Sequence, residues 1–269
     1  MYFSHEGDIM REQDILNNAN TEGGDWYLGD NEPRLEGYLI STGNEELDMR
    51  LGGGIPVPNL LTIEGDHGTG KSLLAQQITY GAAKSGKRIV YITTESGIRE
   101  MVIQTKKLSL DFTDEFLKGQ IKILPVHMEG VRWARKVARQ LLHVLGNYIA
   151  LTKKEYDILV IDSFSVLAVY ADTSVVLDFL TRARTLVREG KLIILTIHPN
   201  ILPNEIMIRI RAISDSYIKL DFAVVGGKLI KVMKIIKLRG AEGIVDSTIA
   251  FDVDPAFGIK VVPLALAKA

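Results

Sequence analysis

The chain has 269 residues, 46% hydrophobic and 24% charged, with a formal net charge of −1. That composition is ordinary for a globular protein able to bury a large core, and the near-neutral charge gives no electrostatic case for broad nucleic-acid or membrane affinity. Cysteine is absent, which excludes disulfides and thiolate metal sites and fits a cytoplasmic protein. No apolar run approaches the ~18 residues that a membrane helix needs, and Met1–Asp8 carries no signal-peptide pattern.

Residues 1–36 are polar, with Asn17–Asp25 the least structured part, and read as a flexible N-terminal extension. It is either a passive tail anchored by Trp26 and Tyr27 or a partner-binding arm. Residues 37–269 read as one folded domain. Within Ile40–Pro56 a short helical patch capped by Ser41 or Thr42 gives way to the turn Gly52-Gly53-Gly54. Leu60–Ile63 is an apolar strand, and Leu73–Ile78 opens a helix that runs to about Ser85-Gly86.

Strand and helix signals then alternate. Arg88–Thr93, Ile121–Pro125, Asp157–Asp162 and Leu192–Ile197 are apolar or β-branched strands. Helices are predicted over 99–109, 129–150, 174–189 and 204–214. The second of these places Trp133, Val137, Leu141 and Val144 on one face. From Ser216 the pattern changes to hairpins: 216–225 and 228–238 around Gly226-Gly227, then strands near 244–253 and 258–262. Continuous apolar strands alternating with helices imply an α/β fold, a mostly parallel central sheet covered by helices on both faces, extended by C-terminal antiparallel hairpins.

The chemistry concentrates at Gly65-Asp66-His67-Gly68-Thr69-Gly70-Lys71-Ser72, which fits the phosphate-binding pattern G-x-x-x-x-G-K-[ST] between a strand and a helix. The strand delivers the chain to a turn whose backbone N–H groups, together with that of Leu73, converge on an anion at the positive helix end. Lys71 would reach the β- and γ-phosphates, and the Ser72 hydroxyl would coordinate Mg²⁺. His67 occupies a variable position of the motif. Asp162, after four apolar residues, is placed to hold the Mg²⁺ shell; otherwise it caps a strand end. Glu95, just beyond the strand 88–93, is the candidate base that activates water, or simply a loop acid. Thr196 and His198 end another strand, where a phosphate sensor would lie, although a histidine before proline also has structural uses. Lys237 and Arg239 alternate onto one face of a late strand, as a solvated edge or as a cationic finger reaching a neighbouring subunit's nucleotide. Arg132, Arg135, Lys136 and Arg139 form a basic stripe, a solvated face or a docking surface for an acidic partner.

Taken together, Ser41-Thr42-Gly43, Leu51 to Pro56, the P-loop, Asp162-Ser163 and Lys237-x-Arg239-Gly240 resemble the RecA/KaiC-like P-loop ATPases over about residues 36–262. Thr93-Thr94-Glu95 and Thr196-Ile197-His198-Pro199 make the chain similar to the archaellum accessory family FlaH (ArlH) within that group. The resemblance implies a RecA-like core, ATP and Mg²⁺ as cofactors, and homo-hexamers with nucleotide near subunit contacts. It further implies work at the cytoplasmic base of the archaellum motor, beside the motor ATPase FlaI and a membrane-bound scaffold, without membrane insertion. KaiC-like hydrolases tend to carry paired glutamates after the second strand, whereas Ser96 follows Glu95 here. The expectation is therefore an ATP-dependent assembly subunit with weak hydrolysis. A KaiC-like ATPase or autokinase with real turnover is the alternative. A DNA-binding recombinase paralogue is opposed by the charge and by the short segment 198–204.

Overall fold

The computed structural model describes residues 37–126, 135–225 and 227–263. The extension 1–36, with Trp26 and Tyr27, lies outside them, as do Arg132 and Trp133. The chain enters through β1 (Tyr38–Ile40), α1 (Glu45–Arg50) and β2 (Ile55–Val57), where β1 and β2 pair antiparallel as a small separate sheet. The cap of α1 is Asn44, whose side chain accepts from the Leu47 N–H; the expected Ser41 and Thr42 instead direct their hydroxyls to Asp48. Asparagine is as good a cap as serine, and a carboxylate four residues into the helix drew the two hydroxyls away.

β3 (Asn59–Gly65) follows and leads into α2 (Lys71–Lys84), then β4 (Ile89–Thr93). Next come α3 (Ile98–Lys107), α4 (Thr113–Leu117), β5 (Ile121–Pro125), α5 (Arg135–Leu151) and β6 (Ile158–Asp162). The chain continues through α6 (Phe164–Ala168), α7 (Thr173–Arg188), β7 (Leu192–Ile197) and α8 (Asn204–Ile213). It closes with β8 (Ser216–Val225), β9 (Lys228–Leu238), β10 (Thr248–Asp254) and β11 (Gly258–Val261).

The nine-stranded sheet has the order β11-β10-β9-β8-β3-β7-β6-β4-β5. Neighbours from β8 to β5 run parallel, and β8 to β11 pair antiparallel. The expected architecture is thus present. Because side chains alternate across a strand, the apolar strands feed two cores. Leu61, Ile63, Tyr91 and Val160 pack under α1 to α4, whereas Leu60, Val90, Ile92 and Ile161 pack under α5 to α8. The chain passes from β3 to β4 across β7 and β6, so a crevice opens at the carboxyl ends of β3 and β7, where α/β sheets gather ligands.

One predicted face is rotated. On α5 the buried stripe is Leu142, Leu145 and Ile149, and Val144 is exposed. Both sets are apolar, and the sheet selected the one at i, i+3 and i+7 that meets α7. Of the basic stripe on that helix, Arg139 forms an ion pair with Asp172 of the α7 cap.

Candidate nucleotide site

The turn between β3 and α2 is shaped by two glycines. Gly70 has φ of +102°, a left-handed conformation that side chains resist. At Gly65 a Cβ would meet Thr69 Oγ1 at 2.5 Å and the Leu220 carbonyl at 2.9 Å. Beyond the turn, α2 begins without any side-chain cap and without an acidic residue in its first turn. Its first N–H groups and its positive dipole end therefore face the turn, which is the cradle an anion requires.

Lys71 is buried, and its Nζ donates to the Asp66 carbonyl at 3.0 Å. Burial lowers its pKa, against the opposing fields of Glu95, Asp162 and Asp66. A cation taken out of water this way favours an incoming anion. Ser72 Oγ donates to Asp162 Oδ1 at 3.2 Å. Asp162 is 2% exposed and also accepts from Thr196 Oγ1 at 2.6 Å and Tyr91 OH at 2.8 Å. Burial raises the Asp162 carboxyl above the usual range, although the Thr196, Tyr91 and Ser72 hydroxyls pull the other way. An anion at that depth, beside a hydroxyl on the helix, is chemically suited to a divalent cation. The residues present therefore fit Mg²⁺ and a nucleotide triphosphate: Ser72 and Asp162 would hold the ion, and Lys71 with the helix N–H groups would hold the phosphates.

Glu95 lies two residues beyond β4, and parallel pairing of Thr93 with Asp162 brings it toward that buried carboxylate. Its Oε1 lies 3.2 Å from His198 Nε2. The hydrogen bond from His198 lowers the Glu95 pKa most; burial opposes it, and the fields of His198 and Lys71 add to the lowering. His198 is one residue past β7, which pairs with β3 as far as Glu64. Its ring rests against His67, with centroids 4.3 Å apart, so His67 lends a side chain to the site as well as its backbone.

A cavity of about 310 Å³ joins these groups. Gly68, Gly70, Lys71, Ser72 and Leu73 form its phosphate end with His67, Glu95 and His198, and Gln104, Leu108, Lys231 and Val253 form the far end. Those last four, and Tyr91, were missed by the sequence reading. Lys231 arrives only through pairing, opposite Phe222 on β8 and Phe251 on β10. The Phe251 ring backs Gly70, with 3.4 Å left for a Cβ there. A larger cleft of about 510 Å³ lies on the other side of Gly65 and Asp66 and includes neither Lys71 nor Ser72, so size does not mark the phosphate site.

The structure brings the P-loop, Asp162, Thr196, Glu95 and His198 together and leaves Lys237 and Arg239 apart. Lys237 pairs with Tyr217, which is level with Thr62 of β3. Arg239, one residue past β9, donates its N–H to the Asp215 carbonyl, and Asp215 in turn donates to Leu60. At ~3.3 Å per residue, Arg239 sits about 17 Å back along the strand direction from Gly65. Lys237 Nζ donates to the Arg211 carbonyl at 2.7 Å, so neither cation faces the phosphate site of its own chain.

An uncapped helix end, a buried lysine and a hydroxyl–carboxylate pair at the switch point of a mostly parallel sheet define a P-loop ATPase of RecA-like fold. The KaiC ATPase family model matches residues 40–265. The archaeal flagellar ATP-binding protein FlaH of Sulfolobus acidocaldarius is 43% identical over 231 residues, 86% of this chain and 100% of that protein. The chain belongs to this FlaH family of KaiC-like ATPases. The crystal structure of the flagellar accessory protein FlaH from Methanocaldococcus jannaschii aligns with a TM-score of 0.75 at 29% identity, covering 83% of this chain and 98% of that one. A KaiC-like protein from Pyrococcus horikoshii shares the fold, with a TM-score of 0.66 at 23% identity over 85% of this chain and 100% of its own.

Proposed function

We propose that this chain is an ATP-binding assembly subunit of the archaeal flagellum (archaellum) motor, in which Mg–ATP occupancy orders a subunit contact and hydrolysis is slow. The observation that carries the reading is Glu95: a single carboxylate, followed by Ser96 rather than a second acid, and hydrogen-bonded to His198. A nucleotide site complete in phosphate and metal groups but poor in base is suited to holding ATP longer than spending it. A ligand bound only to the assembled state at ~100 times its Kd stabilises that state by about 2.7 kcal/mol, enough to order an interface without turnover.

In this reading the subunits form a homo-hexamer, with Lys237 and Arg239 of one subunit reaching the phosphates held by the next. The ring works at the cytoplasmic base of the motor, with the motor ATPase FlaI and a membrane-bound scaffold as partners. The names of the relatives support the archaellum assignment. Among the described residues no helix is long and apolar enough to cross a membrane, in keeping with a peripheral position.

The test is the mass of the purified protein with and without Mg–ATP, measured beside phosphate release. Assembly on ATP with turnover well below one per second supports the switch. Turnover of about ten per second or more, in the ordinary enzyme range, would make the chain an engine instead.

A further inference from the structure

Three side chains meet beside the P-loop: His67 within it, His198 past β7, and Glu95. His198 is 3% exposed; its backbone N–H donates to Ser165 Oγ at 2.9 Å, and its ring is wedged between the other two. Its Nδ1 is buried and has no hydrogen-bond partner. That asymmetry selects the tautomer. With the proton on Nε2 the ring donates to Glu95 and leaves only a lone pair at Nδ1, whereas a proton on Nδ1 would strand a buried N–H. His198 is thus a fixed donor aimed at the carboxylate.

A general base works through a free lone pair directed at water. A carboxylate that accepts from a buried imidazole N–H has one oxygen occupied, and the same bond makes it less basic. The charged groups around Glu95 are Lys71 and Asp162, with the rings of His67 and His198. Of these, His198 is the one in hydrogen-bond contact with it.

We propose that His198 is a positioning residue that restrains Glu95, and that His67 makes the restraint responsive to the P-loop. While the imidazole holds the carboxylate, water activation is slow. Phosphates that shift the P-loop move His67 against the His198 ring and loosen the hold. The hypothesis rests on the reading of Glu95 as base under Proposed function.

The experiment measures phosphate release by the full-length chain at saturating Mg–ATP. His198→Ala is expected to raise kcat at least about fivefold, within what freeing a general base supplies. A merely structural histidine would not give that direction. His198→Gln, whose amide keeps a donor, restores the low rate, and Glu95→Gln in the His198→Ala background abolishes the gain. His67→Ala, which removes the loosening push, lowers kcat in the otherwise wild-type chain and changes nothing in the His198→Ala background. An unchanged or lower kcat in a folded His198→Ala variant overturns the proposal, as does a gain that survives Glu95→Gln. Should that variant not fold, the imidazole ¹⁵N resonances of the wild type decide. A shift of the His198 signals on adding Mg²⁺ with a non-hydrolysable ATP analogue supports the proposal, and their indifference overturns it. Rapid turnover by the wild type would instead sink the switch reading, leaving the ratio of variant to wild type to judge this one.

Discussion

Lys71 and Asp162 are both driven toward neutrality by burial, the lysine pKa falling and the aspartate pKa rising. Each therefore works in a narrower pH range than its type normally does. Acidification protonates Asp162 at a higher pH than an ordinary aspartate and removes the Mg²⁺ anchor. Alkalinisation discharges Lys71 at a lower pH than an ordinary lysine and removes the phosphate anchor. Mg–ATP affinity should form a plateau eroded from both sides, with Asp162→Asn losing the Mg²⁺ dependence and the part of the acid limb beyond ATP's own titration. An acid limb identical in Asp162→Asn, followed by titration of a fluorescent ATP analogue, would falsify the assignment. Lys71→Ala should lose one charge-assisted contact of about 2–3 kcal/mol, roughly 30- to 150-fold in Kd. Glu95→Gln, by contrast, should leave ATP-driven assembly in place, which size-exclusion chromatography with light scattering can check; loss of assembly in a variant that still binds ATP would mean that turnover matters.

At the scale of elements, the turn from β3 into α2 is legible in the sequence because its backbone demands particular residues. Gly70 must take a left-handed conformation, so Gly70→Ala should cost about 1–2 kcal/mol and lower Tm by several degrees, and it should weaken ATP binding. A calorimetric scan showing an unchanged Tm would contradict the strain. Asp162 was visible as the polar end of an apolar strand, either a cap or a site carboxylate, and the fold sets it against Ser72 of the P-loop helix. The far end of the cavity was not visible. Lys231 and Val253 look like any alternating strand residues until the antiparallel register sets Lys231 opposite Phe222 and Phe251. Gln104 and Leu108 lie on and just after an amphipathic helix whose direction only packing determines. Tyr91 was hidden because a tyrosine inside an apolar strand reads as core, and it is core, except that its hydroxyl reaches Asp162. The face of α5 was misread for a related reason: Val144 and Leu145 are equally apolar, and tertiary contact chose between them.

At the scale of the whole molecule, the P-loop lies at the carboxyl ends of the parallel strands, and Lys237 with Arg239 lies toward their amino ends. In the assembly proposed above, this separation gives the subunit a head and a tail. A two-fold pair could serve both sites only if the two ends shared one self-complementary patch; in the ring proposed above the contact is heterologous, and a heterologous series terminates only by closing on itself. Every open intermediate therefore carries one unserved nucleotide and one idle cation pair. A subunit with Lys237→Ala and Arg239→Ala would retain its own ATP pocket yet act as a chain stopper, joined through its pocket end and unable to extend the series from the other. For a ring of six, intact rings fall as the sixth power of the wild-type fraction, so a mixture with about one-third variant leaves roughly a tenth of them. Native mass spectrometry of such mixtures reads the exponent directly, and a linear decline would mean that the two ends never meet.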